Sequence, residues 1–263
     1  MSAAFLDVNS ALLHCETTGR GTPVVLLHGF GLDYRMWDEQ AARLSKRYLV
    51  IRYDQRGYGL SSVPGPESYA HTDDLMALLA SLDATPAHVI GFSMGGRNAL
   101  RFALAHPLAV RSLMLVDSVL DGYTWSPEWQ ALWQSIDSTA KSGDVAGAKR
   151  LWFEHPLLAP AREQPAVAAR LKEMIDTYSG WHWLHADPGL APDTPAILRL
   201  DAVAVPTMVV VGERDLPDFQ GIADTLASGI RGATKVVMPG AGHMVNMEAP
   251  GRFNNLVLEV LST

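Results

Sequence analysis

The chain has 263 residues, 48% of them hydrophobic, a formal net charge of -7 and a single cysteine, Cys15. That length suits one α/β unit with a sizeable core, the acidic balance builds no basic face for nucleic acid, and a lone cysteine excludes an internal disulfide and fits a reducing, cytoplasmic setting. No uncharged apolar run nears the roughly 20 residues of a membrane span, and "MSAAFLDVNSALLHCE" lacks the charged start and apolar stretch of a signal peptide, so neither membrane nor nucleic acid is expected as a partner.

In chain order, "FLDVNSALLHCETTG" (5–19) reads as two antiparallel strands turning at Asn9-Ser10, with Cys15 a strand residue and not a nucleophile. Six short runs rich in Val, Ile and Leu come after it: "PVVLLHG" (23–29), "YLVIRYD" (48–54), "AHVIGFS" (87–93), "RSLMLVDS" (111–118), "PTMVVVGE" (206–213) and "TKVVMPG" (234–240). Most are apolar at consecutive positions, the pattern of strands buried on both faces of a parallel sheet. Helix-period segments alternate with them. "HTDDLMALLASLDA" starts at Thr72 as the expected N-cap, with acids in its first turn. "SMGGRNALRFALAHP" stops at Pro107, and "DFQGIADTLASGI" and "APGRFNNLVLEVLS" come later. This alternation predicts a doubly wound α/β sheet. From about Val119 to Leu200 the rhythm breaks. The stretch has no buried-strand run and holds six of the seven tryptophans, so it reads as a helical insertion after one strand.

The chemistry is concentrated at strand ends. Gly91-Phe92-Ser93-Met94-Gly95 is a G-x-S-x-G nucleophile elbow, set after a buried run and before a helix-like one. A serine hydroxyl needs a nearby base, and a sharp strand-to-helix turn exposes it at the edge of a rigid sheet while glycines relieve the crowding. The partners should come in the order acid, then histidine. Asp215 in "VVVGERDLPD" and His243 in "MPGAGHMVNMEAP" fit, each just past a strand, with Asp117 and Asp218 as the other acids in range. An oxyanion hole needs two backbone N–H donors; Met94 and, from "LLHGFG" (26–31), Phe30 are the expected pair.

Together "HGFG", "DQRGYGLS", "GFSMGG", "GERD" and "GAGH" resemble the α/β-hydrolase fold superfamily, over nearly the whole chain. The resemblance implies an eight-stranded, mostly parallel sheet with a small helical cap. Residues 1–118 and 201–263 would form the core and 119–200 the cap. It also implies Ser93 as nucleophile, Asp215 as acid, His243 as base, and Arg56 as a tie between loops. Among branches, the chain looks most like small esterases, enol-lactonases and cofactor-free haloperoxidases (perhydrolases). A serine nucleophile departs from the aspartate of haloalkane dehalogenases and epoxide hydrolases. The expected substrate is a small carboxylic ester or lactone with an apolar or aromatic portion. A C–C bond hydrolase, a perhydrolase and a non-catalytic binding protein on the same fold stay open. Trp125, Trp181 and Trp183 are the candidates for the pocket wall, although each could equally pack the cap's own core. No motif implies a cofactor, and His182 and His185 lack the companions of a metal site.

Overall fold

Asn9 and Ser10 both have positive φ, 47° and 64°, the backbone of a tight hairpin turn. The turn joins β1 (Ser2–Val8) to β2 (Ala11–Gly19), antiparallel. The structure, a computed structural model, describes residues 2–262. The six apolar runs form β3 (Pro23–Leu27), β4 (Leu49–Tyr53), β5 (Ala87–Phe92), β6 (Val110–Val116), β7 (Thr207–Gly212) and β8 (Thr234–Met238). One eight-stranded sheet results, in the order β1-β2-β4-β3-β5-β6-β7-β8. Pairing is antiparallel between β1 and β2 and between β2 and β4, and parallel from β4 through β8.

The apolar runs are explained by burial on both faces. All six residues of β5 are buried, and alternate residues of β3 enter different cores: Val24 and Leu26 on one face, Val25 and Leu27 on the other. α1 (Asp38–Leu44) and α11 (Pro250–Val260) cover the first face. α2 (His71–Ser81), α3 (Met94–Ala105) and α9 (Pro217–Gly229) cover the second. The last strand departs from the expectation: β8 lies at the sheet's edge and is not buried on both faces, with Val237 exposed. Thr72 is not an N-cap either. The helix starts at His71 after Ala70 without a side-chain cap, and Asp73 and Asp74 supply the favourable charge in its first turn.

Between β6 and β7 the chain leaves the sheet as a helical cap. It comprises α4 (Pro127–Lys141), α5 (Val145–Glu154), α6 (Ala159–Arg162), α7 (Pro165–Thr177) and α8 (Trp181–Leu184). α10 (Val245–Glu248) is one short turn before α11. No described helix is long and apolar enough to cross a membrane. The chain runs from β3 outward to β4, then returns to the other side of β3 as β5. That reversal opens a crevice at the carboxyl ends of β3 and β5, where sheets of this kind bind ligands.

Candidate active site

Ser93 sits in that crevice. It comes directly after β5 and before α3, with φ 52° and ψ -116°. This is a strained conformation for a residue with a side chain, of the sort that persists where the surroundings over-determine it. They do so here. The Ser93 N–H donates to Val116 O at 2.9 Å, and the Ser93 carbonyl accepts from Gly96, Arg97 and Val119. Gly95 has no room for a side chain, because a Cβ there would strike the carbonyl oxygens of Leu27 and His28. α3 therefore packs its first turn directly against the end of β3.

The loop after β3 is held by a buried polar chain. His28 Nδ1 donates to Gly29 O at 2.8 Å, and its Nε2 accepts the Gln55 N–H at 2.9 Å. Gln55 Nε2 donates to His28 O, and Asn98 Nδ2 of α3 donates to Gln55 Oε1 at 2.7 Å. Burial holds His28 below its ordinary pKa, so it stays neutral and can accept. The network ties Phe30 to the helix that carries Ser93. Among the described residues, neither the Phe30 nor the Met94 N–H has a hydrogen-bond partner, and both residues line one cavity with Ser93. Arg56 lies away from that cavity. It grips Asp74 with two bonds of 2.8 and 2.9 Å and reaches Asn9 O, joining the first hairpin to α2.

His243 is buried between Phe92 and Phe219, with ring centroids at 4.9 and 4.4 Å. Its Nδ1 bonds Asp215 Oδ2 at 2.8 Å, and Asp215 Oδ1 accepts the Leu216 N–H. Glu248 of α10 takes the N–H groups on both sides of the histidine, Gly242 at 2.7 Å and Met244 at 2.9 Å, and so fixes the loop. Ser93 and His243 line the same small recess with Phe30 and Phe92. Asp218 is elsewhere: its carboxylate receives the Ser126 N–H and hydroxyl at 3.0 and 2.6 Å and anchors the start of α4. Asp117 is close. One oxygen from each of Asp117 and Asp215 and one His243 nitrogen lie within 4.8 Å of one another. Asp117 Oδ1 accepts from Gly212 N–H at 2.8 Å. Burial, then the neighbouring Asp215, raise its pKa well above the ordinary carboxylate value and favour its protonated form.

Above Ser93 opens a cavity of about 700 Å³, within the range of small-molecule sites. Trp125, Trp129, Trp133 and Trp152 form much of its wall. Trp125 and Trp129 stack at 4.6 Å, and Trp129 and Trp133 at 6.2 Å. Trp181 and Trp183 are outside the wall, contrary to expectation. Two residues apart on a helical turn, they face nearly opposite ways. Trp183 is buried against Phe30 and Tyr178, and Trp181 stacks on His185 at 5.2 Å. His182, between them, is the residue that lines the cavity.

A family model described as "alpha/beta hydrolase fold" matches residues 22–250. The chain belongs to the α/β hydrolases. It is 32% identical to the pimeloyl-[acyl-carrier protein] methyl ester esterase of Chromobacterium violaceum, over 95% of this chain and 98% of that one. Among solved structures, the enol-lactonase from Burkholderia xenovorans LB400 superposes with a TM-score of 0.83 at 26% identity, covering 98% of this chain and 100% of the other. A thermophilic esterase from Thermogutta terrifontis, solved with malate bound, superposes with a TM-score of 0.85 at 28% identity, covering 100% and 98%.

Several groups that shape this hydrolase's site are not evident from the sequence. The spacing of Trp125, Trp129 and Trp133, four residues apart, is the available signal for one wall, because such residues share a helical face. The His28–Gln55–Asn98 chain leaves no comparable sign, since it joins segments remote in sequence, and Glu248 acts through backbone N–H groups of its own loop, which every residue but proline has.

Proposed function

We propose that the protein is a serine hydrolase that cleaves a small carboxylic ester or lactone with an apolar or aromatic portion, through an acyl-enzyme on Ser93. The observation that carries the reading is that Ser93, strained at the head of α3, lines one small recess with His243, whose ring is bonded to Asp215, and also lines the aromatic cavity above. Ser93 Oγ attacks the carbonyl carbon as His243 Nε2 takes its proton. Asp215 holds the ring by Nδ1–H and stabilises the imidazolium. The oxyanion takes the free N–H groups of Phe30 and Met94, aided by the N-terminal end of α3. The tetrahedral species then collapses, and His243 returns the proton to the departing alkoxide. Water enters by the same route in reverse roles and releases the acid. In the resting structure the Ser93 hydroxyl has no hydrogen-bond partner among the described residues, and such bonds commonly tighten only around substrate.

The relatives act on a methyl ester and an enol-lactone, as their names say, and this supports an oxygen ester or lactone as the bond cleaved. The four lining tryptophans support an apolar portion in the substrate. A fluorophosphonate probe should label Ser93 alone, and Ser93→Ala should lower ester turnover by about 10⁴ or more. Labelling that survives in Ser93→Ala would remove Ser93 from this role.

A further inference from the structure

Four arginines enclosed by the fold each meet a carboxylate: Arg35 with Asp33, Arg52 with Glu16, Arg56 with Asp74 and Arg101 with Asp121, at 2.6 to 2.8 Å. Arg97 does not. Among the described residues no carboxylate reaches it at ion-pair distance, and its hydrogen bond is a long 3.4 Å contact from Nε to Asn98 Oδ1. Yet Arg97 is half-buried in the wall of the cavity that holds Ser93. Its N–H donates to the Ser93 carbonyl at 3.2 Å, one turn along α3, and residues so spaced share a helical face.

Among the described residues, no group around it pairs with it: Asp121, which attracts it, is taken by Arg101 at 2.6 Å. Asp187 also lines the cavity and attracts Arg97, but Asp187 is engaged by the Tyr69 hydroxyl at 3.1 Å and the Gly189 N–H at 2.9 Å. Asp137, on α4, pairs with Lys141 at 2.6 Å. From α2 and α8 come His71 and His182. Burial, then Arg97 itself, holds His71 far below its ordinary pKa, and burial pushes His182 down to about 4, so neither is charged near neutrality. Burial and the nearby Arg101 also lower Arg97's own value, as expected for a cation short of compensation. The cavity thus presents, beside the reacting serine, a guanidinium with no carboxylate of the described residues at ion-pair distance, with tryptophans along α4.

We propose that Arg97 binds a carboxylate of the substrate, so that the hydrolase acts on an ester or lactone that itself carries a free carboxylate, such as a half-ester of a short dicarboxylic acid. The assignment rests on Ser93 being the nucleophile. A guanidinium fork matches a carboxylate with two parallel bonds. One charge suits a monoanion, whereas a phosphate dianion would also face Asp137 and Asp187 across the cavity. Four residues of helix rise about 6 Å, which places the bound carboxylate a few bonds from the carbonyl under attack. The tryptophans take the apolar remainder.

The test compares charged and neutral esters of one shape. On the acyl side these are the p-nitrophenyl monoester of glutaric acid and p-nitrophenyl pentanoate. On the alcohol side they are the acetate of 3-hydroxypropionate and the acetate of 3-hydroxypropionamide, in which a neutral amide replaces the carboxylate. The wild-type enzyme should favour the charged member of at least one pair by about tenfold to a hundredfold in kcat/KM, the scale of charge-assisted hydrogen bonds. Arg97→Gln should bring that ratio towards one, and Arg97→Lys should keep part of it. A wild type without preference in either pair overturns the proposal, and no variant need fold for that result. Equal losses on both members in Arg97→Gln overturn it too, since Arg97 would then only support the helix. Neutral esters turned over without preference leave the serine reading standing alone. No turnover together with no fluorophosphonate labelling removes the serine reading, and this proposal with it.

Discussion

Two carboxyl groups, at the ends of β6 and β7, face each other beneath His243, and in a site closed to water two such charges do not coexist. Burial and the neighbouring Asp215 favour the protonated form of Asp117, while Asp215 is the carboxylate bonded to His243 Nδ1 and the acid of the proposed mechanism. Asp215→Asn should therefore lower kcat by about 10⁴, whereas Asp117→Asn, which copies the neutral acid, should cost no more than a small fraction of that; equal losses would reverse the assignment. Stability provides an independent check. Asp117 is protonated in the folded chain and ionises in the unfolded chain above its ordinary value, so the folded state binds the extra proton. Its contribution is complete at low pH and is lost as pH rises towards the raised native value. Asp117→Asn escapes this loss. Its advantage over wild type in urea unfolding should grow from pH 5 to 7 by up to about 1.4 kcal/mol per pH unit. A difference that stays constant with pH would mean that Asp117 is charged in the native state.

At the scale of an element, α4 presents a stacked row of indoles to the cavity, starting from Trp125 just before the helix. An added methylene in an apolar pocket is worth about 1 kcal/mol or more. Turnover of neutral p-nitrophenyl esters should therefore rise with acyl length until the cavity is filled. Trp129→Ala and Trp133→Ala should flatten that rise. Trp181→Ala should leave the profile as it is, because Trp181 stacks on His185 outside the cavity. An unchanged profile in both wall variants would show that the row only packs the cap. The elbow is a second element-scale constraint. Gly95→Ala should depress stability and activity together, read by thermal unfolding and kcat/KM, because the new Cβ pushes α3 away from β3.

Across the whole molecule, one apolar cluster runs from the sheet through Phe30 into the cap, taking in Val24 and Phe92 at one end and Ile136, Trp152 and Leu171 at the other. Cap and sheet are thus expected to unfold in one transition, with calorimetric and van't Hoff enthalpies equal; two resolved transitions would show that the cap is an independent unit. Asp218 is a polar fastening between them, since it holds Ser126, whose hydroxyl in turn accepts the Trp129 N–H. Asp218→Ala should raise KM more than it lowers kcat, the reverse of Asp215→Asn, because it displaces the wall and not the acid.

The strands, the elbow and the placing of Ser93, Asp215 and His243 just past strand ends were legible in the sequence because each depends on neighbours along the chain. A strand buried on both faces must be a continuous apolar run, and an elbow needs its glycines two residues either side of the serine. The helical insertion showed as a break in the strand rhythm, whereas the strand number and the insertion's role as a cap came from the resemblance of the whole chain. The structure alone decided where remote segments meet. Thr72 has the chemistry of a cap but stands two residues past the cap position, Ala70, and β8 carries a core strand's residues at an open edge. Trp181 and Trp183 have the composition of a pocket wall, but the rotation of a single helical turn sends one into the cap's core and the other to its outer side. That Asp117 comes to lie beside Asp215, and that Asp215 is the one bonded to His243, depends on the pairing of β6 with β7. That Arg97 lacks a partner depends on where every acid of the chain comes to rest. These are properties of distance in space, set only when the fold brings separate elements together.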